Sequence, residues 1–270
     1  MPVRPAFPLV RPGRWKSGFE FLMKILTIAH RGASAVRPEN TLAAFRKALE
    51  IGADLIELDV RFSRDGSVIV FHDRRLERTT DGRGPVNALT LRQLRQLDAG
   101  SWFSPEFKGE MIPTLEEVIA LVSPGKIKLC IEIKIDRGAE KIREELVGNV
   151  INIIRSSGFQ TRSLPSSFDK ACLPLVKKIM PGLPCGLIFS EEKIWEEVDA
   201  SNFAQTDYLS ARWNIVTAER VRRAHRAGRR VIAWTIDGEK ELEKMIQCGV
   251  DVIASNDPRW LIENLRERGY

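Results

Sequence analysis

Two short runs place carboxylates where a strand would otherwise be wholly apolar. In LIELDV (55–60) side chains alternate between faces, so Leu55, Glu57 and Asp59 share one and Ile56, Leu58 and Val60 the other. IEIKI (131–135) repeats the two-residue spacing with Glu132 and Lys134. A buried, unpaired carboxylate is costly, so these groups must meet a cation at the strand's end, either a lysine or arginine in a structural ion pair or a metal ion. Two of the chain's three histidines, His30 and His72, close the runs LTIAH and SVIVFH. Imidazoles beside carboxylates suit general acid and base work near neutral pH. Three carboxylates sharing one opening would repel one another and hold protons unless an oxygen-seeking cation lay among them. With no cysteine cluster to accompany them, one Mg²⁺ or Ca²⁺ is favoured over zinc. Arg31 and Lys134 add positive charge for an anion such as phosphate, although Arg31 suits a salt bridge to one of the same carboxylates equally well. Trp234, in VIAWTI, either packs in the core or offers an apolar wall to a substrate. His225, in RVRRAHRAG, lies on an amphipathic helical pattern and reads as a surface residue.

These residues share one place only if the strands that carry them are parallel. LTIAH leads into the polar run HRGASAVRPENT, then a helix from about Thr41 with Asn40 as its cap and Gly52 as its stop, then LIELDV. Asp65-Gly66 follows, and so short a turn permits only an antiparallel hairpin, which carries His72 back toward the end of LIELDV. With 67–72 set aside as that returning arm, eight strand candidates remain: 25–30, 54–60, 128–134, 162–168, 185–189, 206–210, 230–235 and 250–254. Helical patterns separate most of them, including one opened by a Thr114/Glu117 capping box and a last one opened by Asp257-Pro258. The expected fold is α/β, a distorted (β/α)8 TIM barrel whose chemistry sits at the strands' carboxyl ends. Residues 73–112 break the alternation, with a short helical piece over 89–97 and the aromatics Trp102, Phe103 and Phe107. They read as a small inserted subdomain over the barrel mouth.

A chain of 270 residues with a formal charge of +6 has room for such a core. Half of that charge comes from Arg4, Arg11, Arg14 and Lys16 against Glu20, so the body is only mildly basic. That argues against a nucleic-acid partner and suits a small anionic substrate. Residues 1–22, interrupted by Pro2, Pro5, Pro8 and Pro12, read as a loose basic extension, with the domain running over 23–270. Glu20 and Lys24 break the apolar stretch before His30, which argues against a secretory leader, and no run is long enough to span a membrane. Cys130, Cys172, Cys185 and Cys248 stand far apart in or beside apolar segments, as reduced thiols in a cytoplasmic protein do.

In their order and spacing, HRGASAVRPENT (30–41), IELDVRFSRDGSVIVFHD (56–73), LDAGSWF (97–103), IPTLEEV (112–118), IEIK (131–134), SF (167–168) and AWTI (233–236) resemble the glycerophosphodiester phosphodiesterases. The resemblance covers nearly everything from Met23 onward. It implies a distorted barrel with an inserted subdomain, a divalent metal at Glu57, Asp59 and Glu132, and His30 and His72 as the acid–base pair. It further implies Arg31 and Lys134 at the phosphate and Trp234 at the glycerol moiety. The implied reaction is metal-dependent hydrolysis of a glycerophosphodiester, such as glycerophosphocholine or glycerophosphoethanolamine, to glycerol 3-phosphate and an alcohol. The alternatives are lysophospholipase D-type cleavage, for which Trp102, Phe103 and Phe107 would have to form a groove, and a non-catalytic barrel that binds phosphodiesters. One departure stands near the end, where Ser255, Asn256 and Asp257 precede Pro258 in place of the family's common Thr-Asp.

Overall fold

The computed structural model describes residues 24–136, 140–199 and 206–270. The expected extension over 1–22, and Met23 as the domain's start, lie outside the described residues.

The strands are β1 (Leu26–Ala29), β2 (Leu55–Phe62), β3 (Val68–Val70), β4 (Lys128–Ile133), β5 (Ser163–Ser167), β6 (Gly186–Phe189), β7 (Tyr208–Arg212), β8 (Arg230–Trp234) and β9 (Val252–Ser255). All but β3 run parallel, and β1 pairs with both β2 and β9, so eight strands close into a barrel. β3 lies outside that ring, antiparallel to β2, with Val60 opposite Val70. Its turn depends on Gly66, whose φ of 77° is left-handed, and on Ser63 N–H donating to the Ser67 carbonyl at 3.0 Å.

Between the strands lie α1 (Leu42–Ile51), α2 (Leu91–Leu94), α3 (Leu115–Val122), α4 (Glu140–Ser156), α5 (Cys172–Ile179), α6 (Lys193–Asp199), α7 (Ala218–Arg226), α8 (Glu239–Cys248) and α9 (Pro258–Glu267). Thr114 and Glu117 form the expected capping box, Gly52 ends α1 in the left-handed conformation, and Asp257 caps α9 ahead of Pro258. One cap differs from expectation. Thr41, not Asn40, caps α1, its hydroxyl accepting from Ala44 N–H at 3.3 Å, because Asn40 is used elsewhere. The short helix in the insertion is also briefer than the pattern over 89–97, spanning only α2.

Two apolar layers follow from the alternation along each strand. Ile56, Leu58 and Val60 of β2 and Leu129, Ile131 and Ile133 of β4 face outward into the main core beneath the helices. Inside the barrel, Ile28, Leu55, Cys130, Leu164, Tyr208, Ile232 and Val252 pack into a separate plug. Above that plug the inward positions turn charged, with Glu57 and Asp59 on β2 and Glu132 on β4. The segment between β3 and α3 has a third cluster, made by Leu76, Val86, Leu94, Ala99 and Ile112 with Ile69 and Phe71.

Candidate active site

Strand register brings the carboxylates together. Asp59 stands directly opposite Glu132, and Glu57 opposite Cys130. Like charges so placed repel, yet Glu57, Asp59 and Glu132 are all buried, and one oxygen from each lies within 4.8 Å of the others. Lys134 answers part of that charge, its Nζ lying 3.1 Å from Asp59 Oδ1 and 2.5 Å from Glu132 Oε1. One ammonium answers three neighbouring carboxylates only in part.

The loop after β1 supplies the rest of the first ring. Arg31 has a left-handed φ of 57°, a costly conformation for a residue with a Cβ, and Gly32 follows with φ 83°. A side chain at Gly32 would come within 2.6 Å of Ala44 Cβ, so only glycine lets the loop lie against α1. The turn aims Arg31 N–H at Glu57 Oε2 (2.9 Å) and brings its Nε to 3.4 Å from Asp59 Oδ2, while Nη1 donates to Glu39 Oε1 at 2.9 Å. Asn40, with φ 58°, uses its amide on Asp59, Nδ2 donating to Oδ2 at 2.8 Å and Oδ1 accepting from Asp59 N–H at 3.3 Å.

Both histidines are held through Nδ1, by partners of different charge. His30 Nδ1 lies 2.7 Å from Asn256 Oδ1, and Asn256 Nδ2 donates to Asp237 Oδ2 at 2.5 Å. That amide orientation makes Nδ1 the protonated atom and leaves the lone pair on Nε2, 3.9 Å from Glu57 Oε2. His72 Nδ1 lies 2.6 Å from Asp73 Oδ1, a carboxylate. The β2–β3 pairing sets its backbone, Phe71 N–H donating to the Asp59 carbonyl at 2.9 Å and Arg61 Nε to the His72 carbonyl at 2.9 Å.

Protonation follows from this packing. Burial, then the nearby Asp59 and Glu132 charges, hold the Glu57 carboxyl well above its usual range. Burial also pushes Glu132 up to about 7, with Asp59 adding to it and Lys134 opposing it. Asp59 goes the other way: burial would raise it, but Lys134 and Arg31 hold it far below the usual carboxylate range. Burial and the Arg31 charge push His30 down to about 4, so its imidazole is neutral near pH 7. His72 is also lowered, chiefly by burial, with Asp59 and Asp73 working against that.

Trp234 stands one ring away from the charged centre. Its Nε1 donates to the Ser210 carbonyl at 3.0 Å, and its ring meets the edge of Phe168 at 5.8 Å. Phe168 is 48% exposed and lies 5.8 Å from Lys134 Nζ, which links the aromatic wall to the carboxylates. His225 is bonded to Asp251 at 2.8 Å, on the surface as expected. Sequence reasoning missed Asn256, Asp237, Glu39, Asp73 and Arg78 as supports, and it gave Asn40 a different task.

A parallel barrel with an acid-rich mouth, two imidazoles and two cationic side chains defines a barrel hydrolase suited to an anionic ester. Residues 30–259 match the model of the glycerophosphoryl diester phosphodiesterase family, and the chain belongs to that family of phosphoric diester hydrolases. It is 39% identical over 247 residues to the glycerophosphodiester phosphodiesterase of Caldanaerobacter subterraneus subsp. tengcongensis, covering 92% of this chain and 100% of that one. It is 31% identical to a glycerophosphodiester phosphodiesterase of Bacillus subtilis, covering 87% of this chain and 84% of the other. Among solved structures, an Oleispira antarctica phosphodiesterase in complex with the product sn-glycerol-3-phosphate superposes with a TM-score of 0.80 at 32% identity, covering 89% and 96% of the two chains.

Proposed function

We propose that this enzyme hydrolyses small glycerophosphodiesters, such as glycerophosphocholine or glycerophosphoethanolamine, to glycerol 3-phosphate and an alcohol, with one divalent cation, Mg²⁺ or Ca²⁺, held by Glu57, Asp59 and Glu132. The observation that carries this reading is the trio itself. Three buried carboxylates with oxygens within 4.8 Å of one another, answered only in part by Lys134 and Arg31, fit a hard cation with bonds of about 2.0–2.6 Å. When bound, such a cation polarises a nonbridging phosphate oxygen and favours deprotonation of a neighbouring hydroxyl. Arg31 and Lys134 would hold the phosphate from the sides and release part of their hold on Asp59 and Glu132 as they do so. His30, neutral and with its Nε2 lone pair free, would take the proton of the attacking hydroxyl. His72, with a carboxylate on Nδ1, has the better means of keeping a proton and would give it to the alkoxide as the phosphorus–oxygen bond breaks. Trp234 with Phe168 would form the wall against the glycerol carbons.

The aromatic group of the insertion favours a small substrate over a lysophospholipid. Trp102, Phe103 and Phe107 meet edge to face at 5.7 and 5.8 Å, Trp102 Nε1 is tied to the Ala99 carbonyl, and Arg37 caps Phe107. Phe103 and Phe107 are half-buried in these contacts, and of the three rings Trp102, 39% exposed, is the one left at the surface. On this reading the catalytic domain runs over 23–270 with 73–112 inserted at the mouth. The enzyme works in the cytoplasm, where its four free cysteines stay reduced, burial pushing the Cys172 and Cys185 thiols up to about 12. No helix among the described residues is long and apolar enough to cross a membrane. The test is release of the head-group alcohol, choline or ethanolamine, from glycerophosphocholine, glycerophosphoethanolamine and a lysophospholipid, each with added Mg²⁺ or Ca²⁺ and with chelator. Turnover of the two small diesters that chelation abolishes is expected. Full activity after exhaustive chelation would refute the metal, and preference for the lysophospholipid would refute the substrate.

A further inference from the structure

We propose that Arg78, contributed by the inserted segment, is a positioning residue that fixes His72 and Arg31 at once by clamping the carboxylates behind them. Its guanidinium spans two acids. Nε and Nη2 donate to Asp73 Oδ2 and Oδ1 at 2.5 and 3.1 Å, and Nη1 and Nη2 donate to Glu39 Oε2 and Oε1 at 2.8 Å each. Asp73 holds His72 Nδ1, and Glu39 holds Arg31 Nη1. One planar fork therefore stands behind both the imidazole and the guanidinium that face the carboxylate trio.

The neighbouring arginines of the same segment are engaged differently. Arg74 pairs with Asp136 and Arg75 with Glu77, so the arrangement at Arg78 is not a general property of a basic loop. Arg78 is the most exposed member of this chain of contacts, Asp73, Glu39 and Arg31 are partly buried, and Asp59 at its inner end is fully buried. Without Arg78 each carboxylate keeps one partner only and is free to rotate about its last bond. Asp73 could then offer either oxygen to His72, and Glu39 would lose the second cation that sets its plane. Planar two-acid recognition is a property of guanidinium, which an ammonium cannot reproduce. The inserted segment on this view completes the site as well as covering it.

This inference rests on the roles proposed for His72 and Arg31, so the experiment separates the two. Full-length Arg78→Ala, Arg78→Lys and His72→Ala are assayed with glycerophosphocholine at saturating Mg²⁺, and the ¹⁵N ring signals of His72 are recorded in the arginine variants. Arg78→Ala should lower kcat by roughly 10–100-fold, the scale on which supporting groups act, with less effect on KM. Arg78→Lys should recover only part of the loss. In Arg78→Ala the His72 ring signals should move from their positions in the parent, because Nδ1 loses the fixed orientation of its Asp73 partner. Unchanged kcat in Arg78→Ala, or a fall in kcat with the His72 signals unmoved, overturns the proposal. His72→Ala with normal turnover overturns the reading of His72 beneath it, whereas an inactive His72→Ala beside a normal Arg78→Ala overturns the positioning role alone.

Discussion

Replacing Glu132 by glutamine should reverse how the stability of the metal-free enzyme depends on pH relative to the parent. The Glu132 carboxyl is raised from 4.5 to about 7 in the folded state, burial and Asp59 outweighing Lys134. A folded-state value above the unfolded one means that the native protein binds more protons between those limits. The stabilising contribution is therefore complete below about pH 4.5 and is lost as pH rises through about 7. At 1.36 kcal/mol per pH decade, that loss is on the order of 3 kcal/mol. His30 acts in the opposite sense. Its value falls from 6.5 to about 4, so it adds stability as pH rises through that range, and the parent's own profile mixes the two. The difference between parent and Glu132→Gln removes the His30 contribution to first order.

The assay is thermal unfolding of both proteins in chelator from pH 5 to 8. The parent should lose about 5–10 °C of Tm relative to Glu132→Gln across that range, from the usual 2–4 °C per kcal/mol for a domain of this size. Saturating Mg²⁺ or Ca²⁺ should offset the loss in the parent, because a cation at about 100 times its Kd contributes about 2.7 kcal/mol. Parallel Tm curves in chelator would show that Glu132 does not carry the proton and would refute the electrostatic account of the trio.

The histidines allow a sharper contrast. His30→Ala and His72→Ala should each lower kcat by roughly two to four powers of ten, as removal of a general acid or base does, while His225→Ala, which loses only a surface bond to Asp251, should leave kcat unchanged. Near-normal turnover in either site variant at saturating cation and substrate would make that residue structural. A chain beginning at Met23 should keep full turnover and a Tm within a few degrees of the full chain, since MKILTIAH already supplies the strand that leads to His30. Aggregation or a large loss of Tm in that shortened chain would show that residues 1–22 help to close the barrel.

The barrel and the trio were legible because they rest on local periodicity. LIELDV and IEIK each announce an inward acidic face through a two-residue alternation, and Asp65-Gly66 announces the hairpin that returns His72, with no need of tertiary information. Asn40 was misread for the converse reason. An asparagine just before a helix fits a cap, and only the approach of Asp59, 19 residues later, shows what its amide does. Asn256 lies 226 residues from His30, and the departure at Ser255–Asp257 was the only sign that something there had changed. Arg78 is one of three arginines within five residues, and their partners are set by packing that the sequence pattern does not encode. The expectation for Arg31 was divided between phosphate and carboxylate, and in the structure its guanidinium faces carboxylates.

The charges around the mouth form one connected array, and its imbalance has a direction. Arg78, Arg31 and Lys134 are joined by ion pairs to Asp73, Glu39, Asp59 and Glu132, and Glu57 joins through Arg31 N–H. Five carboxylates against three cationic side chains leave a surplus of two negative charges, which a divalent cation would cancel. Asp73, Glu39 and Asp59 all lie below their ordinary range, so the surplus does not sit with them. It collects at Glu57 and Glu132, the two carboxyls that are raised. Glu57→Gln should therefore have effects of opposite sign in the two states. In chelator near pH 7 its Tm should equal or exceed the parent's, since the cost of holding that buried carboxyl against its ordinary ionisation is gone, whereas the rise in Tm on adding Mg²⁺ or Ca²⁺ should shrink or vanish. A variant destabilised in chelator yet stabilised by the cation as fully as the parent would place the surplus, and the ion it calls for, somewhere other than Glu57.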